Sequence, residues 1–455
     1  MPRLDSKFMV IALSVLILLY FIVLPLAVLI IDSVVVDGHL DVSSYLTVYG
    51  QAVNMRALTN TAKISILVMI LSVLITFPLA WLIGRTDLPG RKKFRTILVA
   101  SYMIPPYVGA IAWTQLLNPD VGYLNALLKT IFSLSKAPFN IYTEGGLIWV
   151  LTLFYSPFAF ITISRAMEKM DPTLEEASRV SGASPLRVLW DVTLPLMAPS
   201  ILAGGLLVFI GAGSAFGIPA IVGMPGNIEV LTTRIVSFVY MGNDSGIRNA
   251  TTLAVSLMIL ANGLLFFMTW FMGRKDYTTI GGKSTRPALV ELGKWKGLAT
   301  FLVAVYAFIA VILPLGSIVI TSFMVSMSKG LSLDNFGFDA WIPVLENSQY
   351  LDCIWRSLGY AFIAATIGTI LSLFVAYLSV KTHVKGRSLP DLLVMVGGST
   401  PSVVIALALI ITFSGNYGLN PLFHHVDPHC QLSCEVYDHE CSYHCRFPKP
   451  GFFKS

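Results

Sequence analysis

The stretch "MDPTLEEASRVSGASPLRVLWDVTLPLMAPSILAGG", Met170 to Gly205, carries a dense run of local folding signals. Asp171 followed by Pro172 is a helix N-cap with proline at the first helical position, where a missing N–H costs nothing. Glu175 and Glu176 fall in the first turn, where the positive end of the helix dipole favours acids. Gly182 suits a left-handed helix stop, and Ser184-Pro185 repeats the cap-and-proline start. Pro195 ends the second helix or hands it to the apolar run beyond. The spacing predicts helix, turn, helix over 171–195, set between two long apolar runs.

The two short helices present different faces. Leu174, Ala177, Ser178 and Ser181 share a side of the first, mostly small, which permits close packing. Leu186, Leu189, Trp190 and Thr193 fall at i, i+3, i+4 and i+7 in the second, an apolar stripe. Such a stripe packs on the chain's own spans, lies in a lipid interface, or fills a partner's groove. The pattern alone leaves these open.

The surroundings decide between a soluble and a membrane setting. The 455 residues are 55% hydrophobic and only 12% charged, half the charge of an ordinary soluble domain, and mean hydropathy is +0.74. Apolar segments run over 9–31, 62–83, 96–117, 145–163, 196–222, 250–272, 298–320, 357–380 and 389–413. Each is near the roughly 20 residues a helix needs to cross about 30 Å of hydrocarbon. An all-α polytopic membrane protein of about nine spans follows. The first apolar core is too long for a cleaved signal peptide and reads as a retained span. With the N-terminus in the cytoplasm, the inside segments carry twenty Lys and Arg and the outside loops seven. That asymmetry fixes the orientation and places 171–195 inside. It also accounts for the net charge of +6 without any nucleic-acid partner.

The chain also repeats itself. The segment from Ala80, "AWLIGRTDLPGRKKFRTILVASYMIPPYVGAIA", aligns without gaps with "AYLSVKTHVKGRSLPDLLVMVGGSTPSVVIALA" from Ala376, at an offset of 296. Gly90/Gly386, Arg91/Arg387 and Pro105/Pro401 coincide, and Leu-Pro-Leu stands at 24–26 and 313–315. A tandem repeat of six-span units, the second incomplete, divides the chain. Residues 1–272 form the first unit, 273–297 a cytoplasmic linker and 298–413 three spans of the second. Residues 414–455 are a Cys/His-rich tail.

Against this frame the loop resembles a known motif. Glu176-Ala177-Ser178, then Gly182, Val192, Leu194 and Pro195 match the spacing of the EAA loop of ABC-importer permeases. Ser178 stands in place of the second alanine and Val192 in place of isoleucine. The tandem layout is similar to that of the ferric-iron type permeases, shared by thiamine permeases, and "FGIPAIVG" (Phe216–Gly223) is similar to an iron-type segment. The resemblance implies a permease subunit in a bacterial inner membrane, working by alternating access. Its implied partners are a cytoplasmic ATP-binding cassette dimer, an extracytoplasmic solute-binding protein, membrane lipid and, if the second unit stays incomplete, a second permease chain. It implies ferric iron as cargo, with thiamine or another small solute as the alternative. Glu175, Glu176, Ala177, Gly182, Leu186, Leu189, Trp190, Leu194 and Pro195 are the residues expected to couple the loop to the ATPase.

Other chemistry is sparse. No Walker-type phosphate loop is present, because Tyr277 stands where "GGKS" (Gly281–Ser284) would need its first glycine. ATP hydrolysis is therefore expected on a separate subunit, and neither a catalytic set nor a cofactor is expected. The spans carry almost no ionisable residues at depth, unlike the relays of an ion-coupled carrier, which is the rival class. The tail, "HHVDPHCQLSCEVYDHECSYHC" (His424–Cys445), admits three readings: a frameshifted or truncated end, a disulfide-knit segment, or a metal site whose cysteine pairs stand closer than zinc modules prefer. A sensing protein built around that tail is a third functional class. Three more spans and a second loop are what the repeat predicts after 413.

Overall fold

A computed structural model describes residues 13–36, 38–171, 173–273, 289–330, 332–381 and 389–413, with residues 36, 185, 186, 267–269, 271–273, 328 and 378 described in backbone only. The extreme N-terminus, most of the linker with its "GGKS", the Gly386-Arg387 loop and the whole Cys/His tail lie outside the described residues.

Among the described residues seven helices are long and apolar enough to cross a membrane, and two bent pairs bring the count to nine if each is one span. In chain order they are α1 (Leu13–Val34), α2 (Ala52–Arg85), the pair α3 (Arg91–Met103) and α4 (Pro106–Leu117), and α5 (Glu144–Lys169). The short helix α6 (Thr173–Val180) precedes α7 (Leu189–Ser214) and α8 (Asp244–Gly273). Then come α9 (Gly293–Ser322), α10 (Ser348–Lys381) and the pair α11 (Leu389–Ser399) and α12 (Ser402–Phe413).

Three expected spans are corrected. Segment 96–117 breaks by 101° between α3 and α4, and 389–413 by 105° between α11 and α12. The cause is proline. Ile104 and Pro105 are extended, ψ 125° and 134°, because the proline ring disfavours helical geometry in the residue before it. Pro401 stands at the second break. Segment 196–222 ends as a helix at Ser214, and a separate π turn follows at Pro219–Gly223.

Elements recur at the repeat offset. Ala52–Arg85 and Ser348–Lys381 are both 34 residues long, and Pro106–Leu117 and Ser402–Phe413 are both 12. Their burial differs sharply. Thirteen residues of α2 are buried, whereas Val375 alone is buried among the described side chains of α10.

The core is α2, α5 and α7 packed on one another, with Ile64, Val68, Val150, Phe160, Ile163, Met197 and Val208 at the centre. Small residues let the backbones close up. A Cβ on Gly204 would stand 3.0 Å from the Cα of Ala159, so any side chain there would push α5 and α7 apart. A second cluster joins Leu26 and Leu29 of α1 to Leu253 and Leu257 of α8 and Val404, Leu407 and Ala408 of α12. Thus α1 packs on α12, from beyond the linker, while the Leu313–Ser322 end of α9 packs on α4.

One local feature recurs three times. Leu24-Pro25, Leu194-Pro195 and Leu313-Pro314 are each preceded by a five-residue π turn: Leu19–Val23, Leu189–Thr193 and Phe308–Ile312. In each, the leucine N–H reaches back to the first residue of the turn. Proline supplies no N–H and its ring crowds the carbonyl four residues back. A wider turn relieves the crowding without ending the helix. Pro195 therefore hands the short helix Pro185–Val188 straight into α7. Because the turn marks all three Leu-Pro-Leu sites, it belongs to the tripeptide and does not by itself argue for the repeat.

Candidate functional site

The loop between α5 and α7 folds as its caps dictate. Asp171 accepts hydrogen bonds from the Thr173 N–H at 2.9 Å and the Thr173 hydroxyl at 2.8 Å. Those bonds, the backbone one foremost, hold its carboxyl below the ordinary value. Helix α6 stops at Gly182, whose φ is +87°. The Gly182 N–H donates to Arg179 O at 2.9 Å and the Ala183 N–H to Ser178 O at 3.1 Å, the paired bonds of a Schellman stop.

The two acids of the loop part company. Glu176 is exposed, but Glu175 is buried. Its Oε2 meets Arg85 Nη2, at the end of α2, at 2.6 Å, and its Oε1 accepts the Thr193 hydroxyl at 2.8 Å. Arg85 Nη1 also donates to Met170 O, just past α5, at 3.4 Å. The side chains of Arg85 and Glu175 are only 2% and 7% exposed. One ion pair therefore ties α2, the end of α5, α6 and the π turn at the head of α7. Removing one partner from such a site leaves an uncompensated buried charge, at a cost of roughly 3–5 kcal/mol.

On the outside the loop is apolar and open. Leu174 is 44% exposed, Trp190 67% and Val180 90%. Ala177, Gly182 and Pro195 are exposed, and Leu189 and Leu194 half-buried. Leu186 sits in the short helix, with no side chain described. The expected stripe splits: Trp190 points out while Thr193 is buried, because the π turn between them is wider than the α-helical period assumed. The small face of α6 is not packed within the chain either, since Leu174, Ala177 and Ser181 are exposed. Among the described residues, no neighbouring element covers them.

Arg85 was one of several loop cations in the sequence and gave no sign of its partner. The spare acid beside the motif, Glu175, was the available signal. Arg85 also belongs to a second contact. The Val290 N–H donates to Arg85 O at 2.9 Å and the Asp87 N–H to Val290 O at 3.2 Å. Asp87 accepts the Leu292 N–H at 3.0 Å and pairs with Lys296 at 2.6 Å. The Lys296 ammonium, then the Leu292 amide, holds the Asp87 carboxyl below its usual value. The end of the linker is thus clasped to the tip of α2.

The family described as binding-protein-dependent transport system inner membrane component matches residues 7–274, more than half of the chain. The chain belongs to that family. It is accordingly a multi-pass inner-membrane component of the binding-protein-dependent transport kind. The ferric transport system permease protein FbpB of Actinobacillus pleuropneumoniae is 27% identical over 423 residues, 90% of this chain and 59% of that protein. The Fe(3+)-transport system permease protein FbpB 2 of Haemophilus influenzae is 25% identical over 372 residues, 79% of this chain and 63% of that one. The chain thus spans less than two thirds of the length of these ferric-type relatives. The inner membrane ABC transporter permease protein YdcU of Escherichia coli is 34% identical over 194 residues, 38% of this chain and 62% of that one. A chain of a bacterial ABC transporter involved in the import of the acidic polysaccharide alginate shares the fold, with a TM-score of 0.50 at 19% identity, covering 58% of this chain and 93% of its own.

Proposed function

We propose that this permease serves an importer for ferric iron and that the loop 171–195 is its contact with a cytoplasmic ATP-binding cassette subunit. Residues 1–272 form one six-span unit and 298–413 the first spans of a second, with the N-terminus inside. A solute-binding protein delivers the cargo from the other side. The observation that carries the coupling reading is the mounting of the loop. Leu174, Val180 and Trp190 are exposed apolar side chains on a loop held by a buried ion pair that reaches three spans. Exposed apolar side chains offer a partner hydrophobic anchors, and the ion pair beneath would pass a push to the spans. The ferric assignment is supported by the names of the relatives matched over most of the chain.

The test uses the full chain, tagged in its native membrane. Wild type is expected to retain a chain labelled by 8-azido-ATP and to take up radioactive ferric citrate. Trp190→Ala is expected to lose the labelled chain while keeping its membrane level. Retention and uptake unchanged in Trp190→Ala together with Gly182→Val would dismiss the coupling reading. Uptake of thiamine in preference to ferric citrate would dismiss iron.

A further inference from the structure

The side chain and the backbone of Arg85 face two different neighbours. Its guanidinium holds Glu175 of α6, while its carbonyl holds Val290 of the linker. The contact continues through Asp87, whose amide bonds Val290 and whose carboxylate bonds Leu292 and Lys296. Lys296 lies in the first turns of α9. Thr86, between Arg85 and Asp87, is fully buried and forms an isolated parallel bridge with Val290. An unbroken series of short polar contacts therefore runs from the loop, through one residue at the tip of α2, to the start of the next span beyond the linker.

We infer that Arg85 is a positioning residue that passes displacement of the loop 171–195 to the linker end 289–296 and so to α9. Two features favour transmission over mere fastening. The guanidinium is sequestered from water, so it follows Glu175 rather than exchanging it for solvent. The receiving contacts are backbone hydrogen bonds in extended register, which shift as a unit. A loop pushed by a partner would thereby move spans on both sides of the linker together. This inference rests on the reading of the loop as the ATPase contact.

The experiment follows backbone amide exchange in the purified full complex, with and without Mg-ATP and vanadate. In wild type the trapped state should change exchange at Ala183 in the loop and at Val290 and Asp87 together. The double variant Arg85→Met/Glu175→Leu replaces the buried pair by apolar side chains of similar size, an exchange that folds tolerate. It should keep the change at Ala183 and lose about two thirds or more of the change at Val290 and Asp87. An undiminished response at Val290 would overturn the inference while leaving the docking role of the loop intact. No response at Ala183 in wild type would overturn both. If the double variant fails to reach the membrane, Glu175→Gln, which keeps shape and an acceptor, is read by the same amides with the same two outcomes.

Discussion

Arg85 and Glu175 stand ninety residues apart in the chain and meet at 2.6 Å with both side chains almost closed to solvent. Arg85 is the last residue of α2, and Glu175 lies in the loop. They meet where α2 ends and the loop begins, so the pair fixes how the loop is held on the membrane part. Glu175→Ala alone should lower stability by roughly 3–5 kcal/mol, seen as loss of the folded chain from detergent extracts on heating. The apolar double variant should recover most of that loss. Equal losses in both would mean the charges themselves stabilise the fold.

Trp190 gives the opposite signature. Its ring is two thirds exposed, so Trp190→Ala should change stability by no more than about 0.5 kcal/mol. Uptake should fall about tenfold or more, as for a central anchor of an interface. Thermal unfolding and uptake measured on the same preparation separate the two quantities.

Gly182 tests the turn. Apart from its chain neighbours, no described atom lies within 4 Å of where its Cβ would be, so substitution meets chiefly backbone strain at φ +87°. An ordinary L residue in that region costs about 1–2 kcal/mol, and asparagine less. Gly182→Val should therefore speed exchange at the Ala183 amide more than Gly182→Asn does. Equal effects would point to a contact rather than to strain.

Asp87 sets a pH dependence. Its folded carboxyl titrates below the usual value of about 3.9, through Lys296 and the Leu292 amide. The stability it contributes is therefore fully present above that usual value and is lost as pH falls through the lower folded value. Protection of the Leu292 amide should persist to about pH 4 and fade below it. In Lys296→Met the fading should begin at higher pH, since the first cause of the depression is gone.

Pro195 tests the π turn. Alanine there restores an N–H able to bond Asp191 O, four residues back, and removes the ring that favours the wide turn. In Pro195→Ala the turn should tighten and the outward face rotate. A cysteine placed at 190 should then react with a soluble thiol reagent more slowly than in the Pro195 background.

Much of this was legible in the sequence where one variable dominates. Spans follow from apolar length, and nine segments stand out because lipid admits little else. The loop's caps were legible because Asp171 and Gly182 act on their own neighbours. The places where reading failed have a different physics. The bends at Ile104-Pro105 and Thr400-Pro401 lie inside segments read as single spans, since a proline shows that a helix must yield but not by what angle. The stripe through Trp190 and Thr193 failed because a fixed helical period was carried across a proline-induced π turn. The Arg85–Glu175 pair depends on two distant segments meeting, which no local pattern encodes.

The crossed packing of α1 on α12 and of α9 on α4 has a mechanical consequence. The stretches before and after the linker each lend the other an arm, so the linker is not what keeps them together. A protease site inserted between 274 and 288 should cut the chain into two pieces that still migrate as one particle in mild detergent. They should part only when substitutions at Leu407, at Ser317, whose hydroxyl donates to Ala112 O of α4 at 3.3 Å, and at Asp87, which holds Lys296, loosen all three grips. The covalent connection would then serve delivery, bringing the two stretches into the membrane in equal number, while the exchanged arms do the holding.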